Sequence, residues 1–121
     1  MPLRLAVLVL ATLVALPAAA ERVALVIGNA SYAHVPAAPA AARDARAVAE
    51  RLRRAGYRTE LLLDGDRSEM RRHLVGFAGE AEGADRAVVF YAGHAMRTGG
   101  ETYLAPVGMD GETLASVMFD G

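Results

Sequence analysis

The sequence lacks cysteine, lysine and tryptophan, and its 121 residues carry nearly balanced charge, with 13 arginines, 14 acidic residues and a formal net charge of −1. Without cysteine, the chain can form no disulfide framework, no thiolate metal site and no thiol nucleophile of its own. A near-neutral chain also lacks the strongly basic surface that binds nucleic acid, so we expect no nucleic-acid partner. The length fits one domain, or part of one.

The first twenty residues have the pattern of a secretory signal peptide. Arg4 and the α-amine give a positive start, residues 5–16 form an almost continuous apolar run, and Pro17 precedes the small residues 18–20. This run is shorter than the roughly 20 residues that cross a bilayer, and no later stretch supplies that length. We therefore expect cleavage after Ala20, export to the bacterial periplasm or exterior, and no membrane span in the mature chain.

The remaining residues, 21–121, alternate between strand and helix patterns. Apolar runs predict strands at residues 22–28, 57–63, 86–91 and 101–105, and apolar positions with helical spacing predict helices at residues 41–55, at 67–81 and from 112 onwards. This alternation predicts an α/β fold, with a mostly parallel sheet covered by helices. Right-handed crossovers would place the first and third strands side by side.

Ligands of such sheets bind beyond the carboxyl ends of the strands, where residues 28–29 and 93–94 would lie. His94 is the strongest candidate for chemistry, because it directly follows a buried strand at this edge and imidazole titrates near neutral pH. A purely structural role for this histidine is the alternative. His34 lies in a proline-containing loop and His73 on a helix, and we predict that both are surface residues without a role.

Other chemical signatures are incomplete in this sequence. Gly28 stands without the glycine series of a dinucleotide-binding loop, and a phosphate loop would need a lysine. Asp64, Asp66 and Ser68 resemble the opening of a calcium loop, but the glycine and glutamate that complete such a loop are missing. Turn and helix-capping roles explain these three residues better. We expect no metal and no cofactor.

Several segments resemble, in the same order along the chain, the bacterial caspase-like (metacaspase-related) peptidases. These segments are residues 22–29 with Tyr32, residues 43–45, residues 88–94 and residues 102–107. The most specific of them is the strand that ends in Tyr-Ala-Gly-His at residues 91–94. The resemblance covers nearly all of residues 21–121. It implies a three-layer caspase-haemoglobinase fold with helices on both faces of the sheet, and a Cys-His dyad that cleaves peptide or protein substrates.

The resemblance also implies roles for three residues. His94 becomes the dyad histidine, which serves the proton transfers. Ala95 stands where the family usually has glycine, and its backbone N–H would help to hold the oxyanion. Asp44 matches the acid that lines the primary pocket of metacaspase-like members and would favour Arg or Lys. Ala38 occupies the position of the arginine with which animal caspases select acidic residues. The alternative for Asp44 is a favourable charge at a helix N-terminus.

The nucleophile that this resemblance requires is missing from the sequence. Caspases carry the cysteine about 50 residues after the histidine, whereas 27 residues follow His94. Two hypotheses stay open: residues 21–121 are a partial domain of an exported cysteine endopeptidase, incomplete at the C-terminus and inactive as it stands, or a non-catalytic caspase-like module that binds a partner. A parallel sheet without its next strand exposes an edge, so we expect residues 21–121 to be marginally stable or to self-associate.

Overall fold

A computed structural model describes residues 20–110. Its elements in chain order are β1 (Arg22–Gly28), α1 (Pro39–Arg54), β2 (Arg58–Leu63), α2 (Arg67–Glu82), β3 (Arg86–Ala92), β4 (Ala95–Thr98) and β5 (Glu101–Leu104). Within this described part, no helix is both long and apolar enough to span a membrane. The predicted signal peptide, apart from its last residue, and the predicted helix from residue 112 lie outside the described residues.

The first three strands form a parallel sheet in the order β2-β1-β3, so the first and third strands are neighbours, as predicted. The central strand β1 is an unbroken apolar run, and its residues from Val23 to Ile27 are at most 1% exposed. Such a run is typical of a strand that is covered on both faces. Because β1 is buried between the two other strands and the helices, its carboxyl end is held in one place at the edge of the sheet.

The two helices cover opposite faces of the sheet, because alternate residues of a strand point to opposite sides. On one face, Ala45 and Ala49 of α1 pack against Val26. On the other, Met70 and Phe77 of α2 pack against the odd-numbered residues of β1. The predicted three-layer α/β architecture is therefore confirmed.

Helix α1 begins at Pro39, two residues before the predicted start. Proline is well suited to the first position of a helix, since its fixed φ is helical and its missing N–H would have no intrahelical partner there. The proline-containing loop that precedes α1 is correspondingly shorter.

The predicted short strand is β5, but its partner β4 was not predicted. The two strands pair in antiparallel fashion as a separate hairpin. Gly99 and Gly100 form the turn, with φ values of 58° and 81°. Positive φ at both central residues is the requirement of a type I′ hairpin turn, which explains why two glycines stand together. The hairpin begins directly after the candidate histidine and so fixes the backbone on its C-terminal side.

Candidate active site

The carboxyl ends of the three parallel strands meet at one edge, as expected. The Asn29 N–H, just past β1, donates a 2.8 Å hydrogen bond to the carbonyl of Ala92, the last residue of β3. On the other side, the Asp64 N–H after β2 donates to the Gly28 carbonyl at 2.9 Å. This edge is therefore a continuous hydrogen-bonded rim, and the candidate site residues project from it.

Gly93 turns the chain sharply between β3 and His94. Its φ is +153°, and a Cβ added there would lie 2.6 Å from the Tyr91 hydroxyl oxygen and 2.8 Å from that of Tyr32. A residue with a side chain would be strained by the backbone angle and would also displace both hydroxyl groups. Glycine at this position allows the His94 backbone to lie directly against the two tyrosines.

The imidazole of His94 is half-buried and is held by a backbone carbonyl. Its Nε2 lies 2.7 Å from the carbonyl oxygen of Pro36. Because a carbonyl can only accept, Nε2 carries the proton and donates it, which leaves Nδ1 of the neutral ring as the unprotonated nitrogen. Sequence reasoning missed Pro36, since a backbone carbonyl leaves no signal in residue identity.

Two tyrosine hydroxyls surround the His94 backbone. The Tyr32 hydroxyl accepts a 2.8 Å hydrogen bond from the His94 N–H and donates to the Ala105 carbonyl at 3.0 Å. The Tyr91 hydroxyl donates to the His94 carbonyl at 2.6 Å, and this carbonyl also accepts from the Ala105 N–H at 3.0 Å. Burial, and next the neighbouring Tyr32 hydroxyl, raise the pKa of Tyr91 far above its usual range, so this group remains a donor.

Asn29 ties this network to the rest of the rim. It is the one buried polar or charged residue among those the structure describes, and it is fully buried. Its Oδ1 accepts from the Gly65 N–H at 2.9 Å, and its Nδ2 donates to the Ala105 carbonyl at 3.1 Å. One side chain thus joins the end of β1, the turn before α2 and the segment after β5.

Asp64 and Asp66 have the turn and cap roles that the sequence predicts. Asp64 adopts a φ of +53°, and its carboxylate accepts from the N–H groups of Ala30 and Ser31 at 2.9 and 3.0 Å. Asp66 is the N-cap of α2 and accepts from the Glu69 N–H at 2.8 Å, a hydrogen bond that lowers the Asp66 pKa. Within residues 20–110, no cluster of three or more His, Asp and Glu side chains is arranged to hold a metal ion.

The backbone N–H of Ala95 points away from the hairpin. Ala95 lies opposite Leu104, and the hydrogen bond from the Ala105 N–H to the His94 carbonyl flanks this pair. Ala95 and Leu104 are therefore a non-hydrogen-bonded pair of the antiparallel ladder, in which the N–H groups face outward. Of the non-glycine residues described, only Asp64 has a positive φ, so alanine at position 95 is unstrained.

These observations agree with a direct comparison of the chain with known families. A family model described as the caspase domain matches residues 21–120. The chain belongs to the caspase family of peptidases. The parallel sheet with helices on both faces is consistent with the caspase-like fold, and the peptidase family suggests protein substrates. No curated protein matches the chain.

Asp44 lies apart from the network in this caspase domain. Because α1 begins at Pro39, Asp44 falls in the second turn, and the first turn contains no acidic residue. The interpretation of Asp44 as a favourable charge at the helix N-terminus is therefore wrong, since that effect is confined to the first turn. Its side chain is exposed and forms no ion pair within residues 20–110, and the hydrogen bonds of His94 do not involve it.

The two other histidines of the caspase domain differ from each other. His34 is exposed, as predicted. The prediction for His73 is wrong in part, because its Nδ1 lies 2.7 Å from Glu60 Oε1 and its side chain is only 23% exposed. This pair links α2 to β2. It lies on different elements from the His94 network, and neither histidine joins that network.

Proposed function

We propose that this caspase domain supplies the histidine of a Cys-His dyad in a cysteine endopeptidase, and that His94 transfers the protons. The observation that carries the proposal is the hydrogen bond from His94 Nε2 to the Pro36 carbonyl at 2.7 Å. It leaves Nδ1 as the basic nitrogen of the neutral ring. A general base must have an unprotonated atom and a fixed orientation, and this arrangement supplies both.

In the proposed reaction, His94 Nδ1 takes the thiol proton, and the thiolate attacks the carbonyl carbon of the scissile peptide bond. The proton then passes to the leaving amine as the C–N bond breaks, and an acyl-enzyme remains. Water, deprotonated by the same imidazole, hydrolyses the thioester and releases the thiol. We propose that the Ala95 N–H donates a hydrogen bond to the oxyanion, because the Ala95 backbone is unstrained and its N–H faces away from the hairpin.

The thiol is not among the 121 residues, which contain no cysteine. We propose that it is supplied by residues outside this sequence. The same absence favours a second candidate function, a non-catalytic caspase-like module that binds a protein partner. The two candidates differ in whether the natural protein carries a reactive thiol.

For specificity, we propose cleavage after basic residues, as in the metacaspase-related members that the sequence resembles. The supporting feature is Asp44, an exposed carboxylate without an ion pair among the described residues. An unpaired carboxylate can pair with an Arg or Lys of the substrate. We also propose that the signal pattern in the first twenty residues directs export of the protein to the bacterial periplasm or exterior.

The first experiment is the intact mass and thiol titration of the protein isolated from its natural source. The dyad proposal expects a mass above that of residues 21–121 and one reactive thiol. Peptides with Arg, Lys or Asp before the scissile bond are then compared as substrates. Cleavage after Asp alone would contradict the proposed preference for Arg or Lys. A natural protein without any thiol would favour the second candidate function, a non-catalytic module that binds a protein partner.

The decisive variant is His94→Ala in the thiol-bearing protein. Loss of the general base should lower kcat/KM by about 10²–10⁴-fold while the circular dichroism spectrum is kept. His73→Ala is the matched control, because His73 lies outside the network and should leave turnover unchanged. If His94→Ala cleaves as fast as the parent, the assignment of the dyad histidine is wrong.

A further inference from the structure

Tyr32 is the side chain that contacts both the backbone and the ring of His94. Its hydroxyl accepts from the His94 N–H at 2.8 Å, and its ring centroid lies 4.6 Å from that of the imidazole, with 45° between the planes. We propose that Tyr32 is a positioning residue that holds the His94 imidazole in its hydrogen bond to Pro36. The proposal rests on the proposed function, in which His94 is the proton-transfer group.

The loop between β1 and α1 carries both Tyr32 and Pro36. Hydrogen bonds from backbone N–H groups hold the loop on either side of these residues: the Ala30 and Ser31 N–H groups donate to Asp64, the Ala33 N–H donates to the Val107 carbonyl at 2.9 Å, and the Ala38 N–H donates to the Ala30 carbonyl at 2.8 Å. The Tyr32 hydroxyl adds a fastening directly at His94. Fixing Tyr32 against His94 therefore restrains the loop four residues before Pro36, whose carbonyl accepts the hydrogen bond from Nε2.

The Tyr32 hydroxyl uses both its proton and a lone pair in hydrogen bonds around His94. A hydroxyl has one proton to donate and two lone pairs to accept with. The Tyr32 proton goes to the Ala105 carbonyl at 3.0 Å, and a lone pair receives the His94 N–H. Phenylalanine would keep the ring contact but leave this part-buried N–H without its acceptor, whereas leucine would remove both contacts.

A merely structural role would have a different signature. Tyr32 also packs beside a small apolar cluster centred on Ala105 and Met109, so any truncation costs some stability. A stability effect alone lowers the unfolding midpoint and leaves the native imidazole hydrogen bond intact. A positioning effect releases the imidazole N–H in the molecules that remain folded.

The test uses the protein of natural length, labelled with ¹⁵N, and NMR spectra of the imidazoles of His34, His73 and His94. Assignment comes from His34→Gln and His73→Gln variants. For the parent we expect a slowly exchanging, downfield Nε2–H signal from His94. Tyr32→Phe should weaken this signal and accelerate exchange of the His94 amide at least tenfold, and Tyr32→Leu should abolish the signal. Tyr57→Phe, at the opposite edge of the sheet, is the matched control and should change neither.

The proposal is overturned if the parent shows no protected Nε2–H, or if Tyr32→Phe leaves both the signal and the amide exchange as in the parent. These measurements need no thiol, so they stand apart from the proposed function. In the thiol-bearing protein, Tyr32→Phe should lower kcat about tenfold and leave KM unchanged. If the NMR changes appear but His94→Ala keeps full turnover, Tyr32 positions His94 and the proposed function is wrong.

Discussion

The body of the sheet and its carboxyl edge are held together in different ways. In the body, β1 is sandwiched between apolar side chains of α1 and α2, and its residues Val23, Leu25 and Ile27 are fully buried. At the carboxyl edge, Asn29 and Tyr32 beyond β1 and Tyr91 near the end of β3 instead form hydrogen bonds around His94 and Ala105.

This difference means that the body of the sheet depends on buried apolar volume, whereas the carboxyl edge depends on hydrogen-bond geometry. Apolar packing is non-directional, so the body tolerates similar shapes and is weakened mainly by lost volume. Hydrogen bonds are directional, and a buried donor or acceptor without its partner costs more than a made bond gains. The edge is therefore the region in which a change of one atom alters geometry, and His94 lies there.

The largest loss of stability should come from removing a large apolar side chain from the body of the sheet. Phe77 is 5% exposed and fills the space between α2 and β1. Phe77→Ala should lower the free energy of unfolding by about 3–5 kcal/mol, through lost burial and the cavity that remains. Urea denaturation followed by circular dichroism measures this. Val75→Ala on the same helix is the control, because Val75 is 67% exposed and should change stability little. Equal losses of stability in the two variants would contradict the conclusion that buried apolar volume holds the body of the sheet together.

A smaller effect is expected from Asn29, where the edge depends on pairing. Asn29→Leu keeps a similar volume but leaves the Gly65 N–H without its acceptor and removes one donor from the Ala105 carbonyl. The expected loss is about 1–3 kcal/mol, with faster hydrogen exchange at the Gly65 amide. If the leucine variant is as stable as the parent and its Gly65 amide stays protected, this edge is held by packing after all.

The same division explains how much of the fold the sequence predicts. The strand at Arg22–Gly28 is predicted with its observed bounds, because burial on both faces demands an unbroken apolar run. The α1 start at Pro39 is missed, because the apolar positions with helical spacing begin only at residue 41 and proline is typical of loops as well as of the first position of a helix. The strand Ala95–Thr98 is missed because it is mostly exposed and carries no apolar alternation.

The candidate site is predictable only in part, for a related reason. His94 is found from its place after a buried strand and from the Tyr-Ala-Gly-His motif. The carbonyl that holds its ring belongs to Pro36, 58 residues earlier, and the Ala105 carbonyl bonded to Asn29 lies 76 residues further along the chain. Each of these pairings joins a side chain to a backbone carbonyl that lies far away in the sequence. They depend on the assembled edge, and no local pattern of residue types records them.

The smallest loss of stability is expected from an exposed polar group at this edge, the Asp66 cap, in contrast to the buried Asn29. Asp66 caps α2 as an exposed residue, so Asp66→Ala should lower the unfolding midpoint at pH 7 by only a few degrees. The hydrogen bond from the Glu69 N–H holds the Asp66 pKa below its ordinary value of 3.8. The ionised cap therefore stabilises the fold above pH 3.8, and this contribution is lost as the pH falls through the folded-state pKa.

Thermal melts of Asp66→Ala, Asp66→Asn and the parent between pH 7 and pH 2 test this directly. The gap between the parent and Asp66→Ala should narrow below pH 3.8, where the carboxylate becomes protonated. Asp66→Asn keeps a neutral acceptor for the same N–H, so its own advantage over alanine should not change with pH. A gap between parent and alanine that stays constant to pH 2 would mean that the charge of Asp66 contributes nothing, and that the cap acts through its hydrogen bond alone.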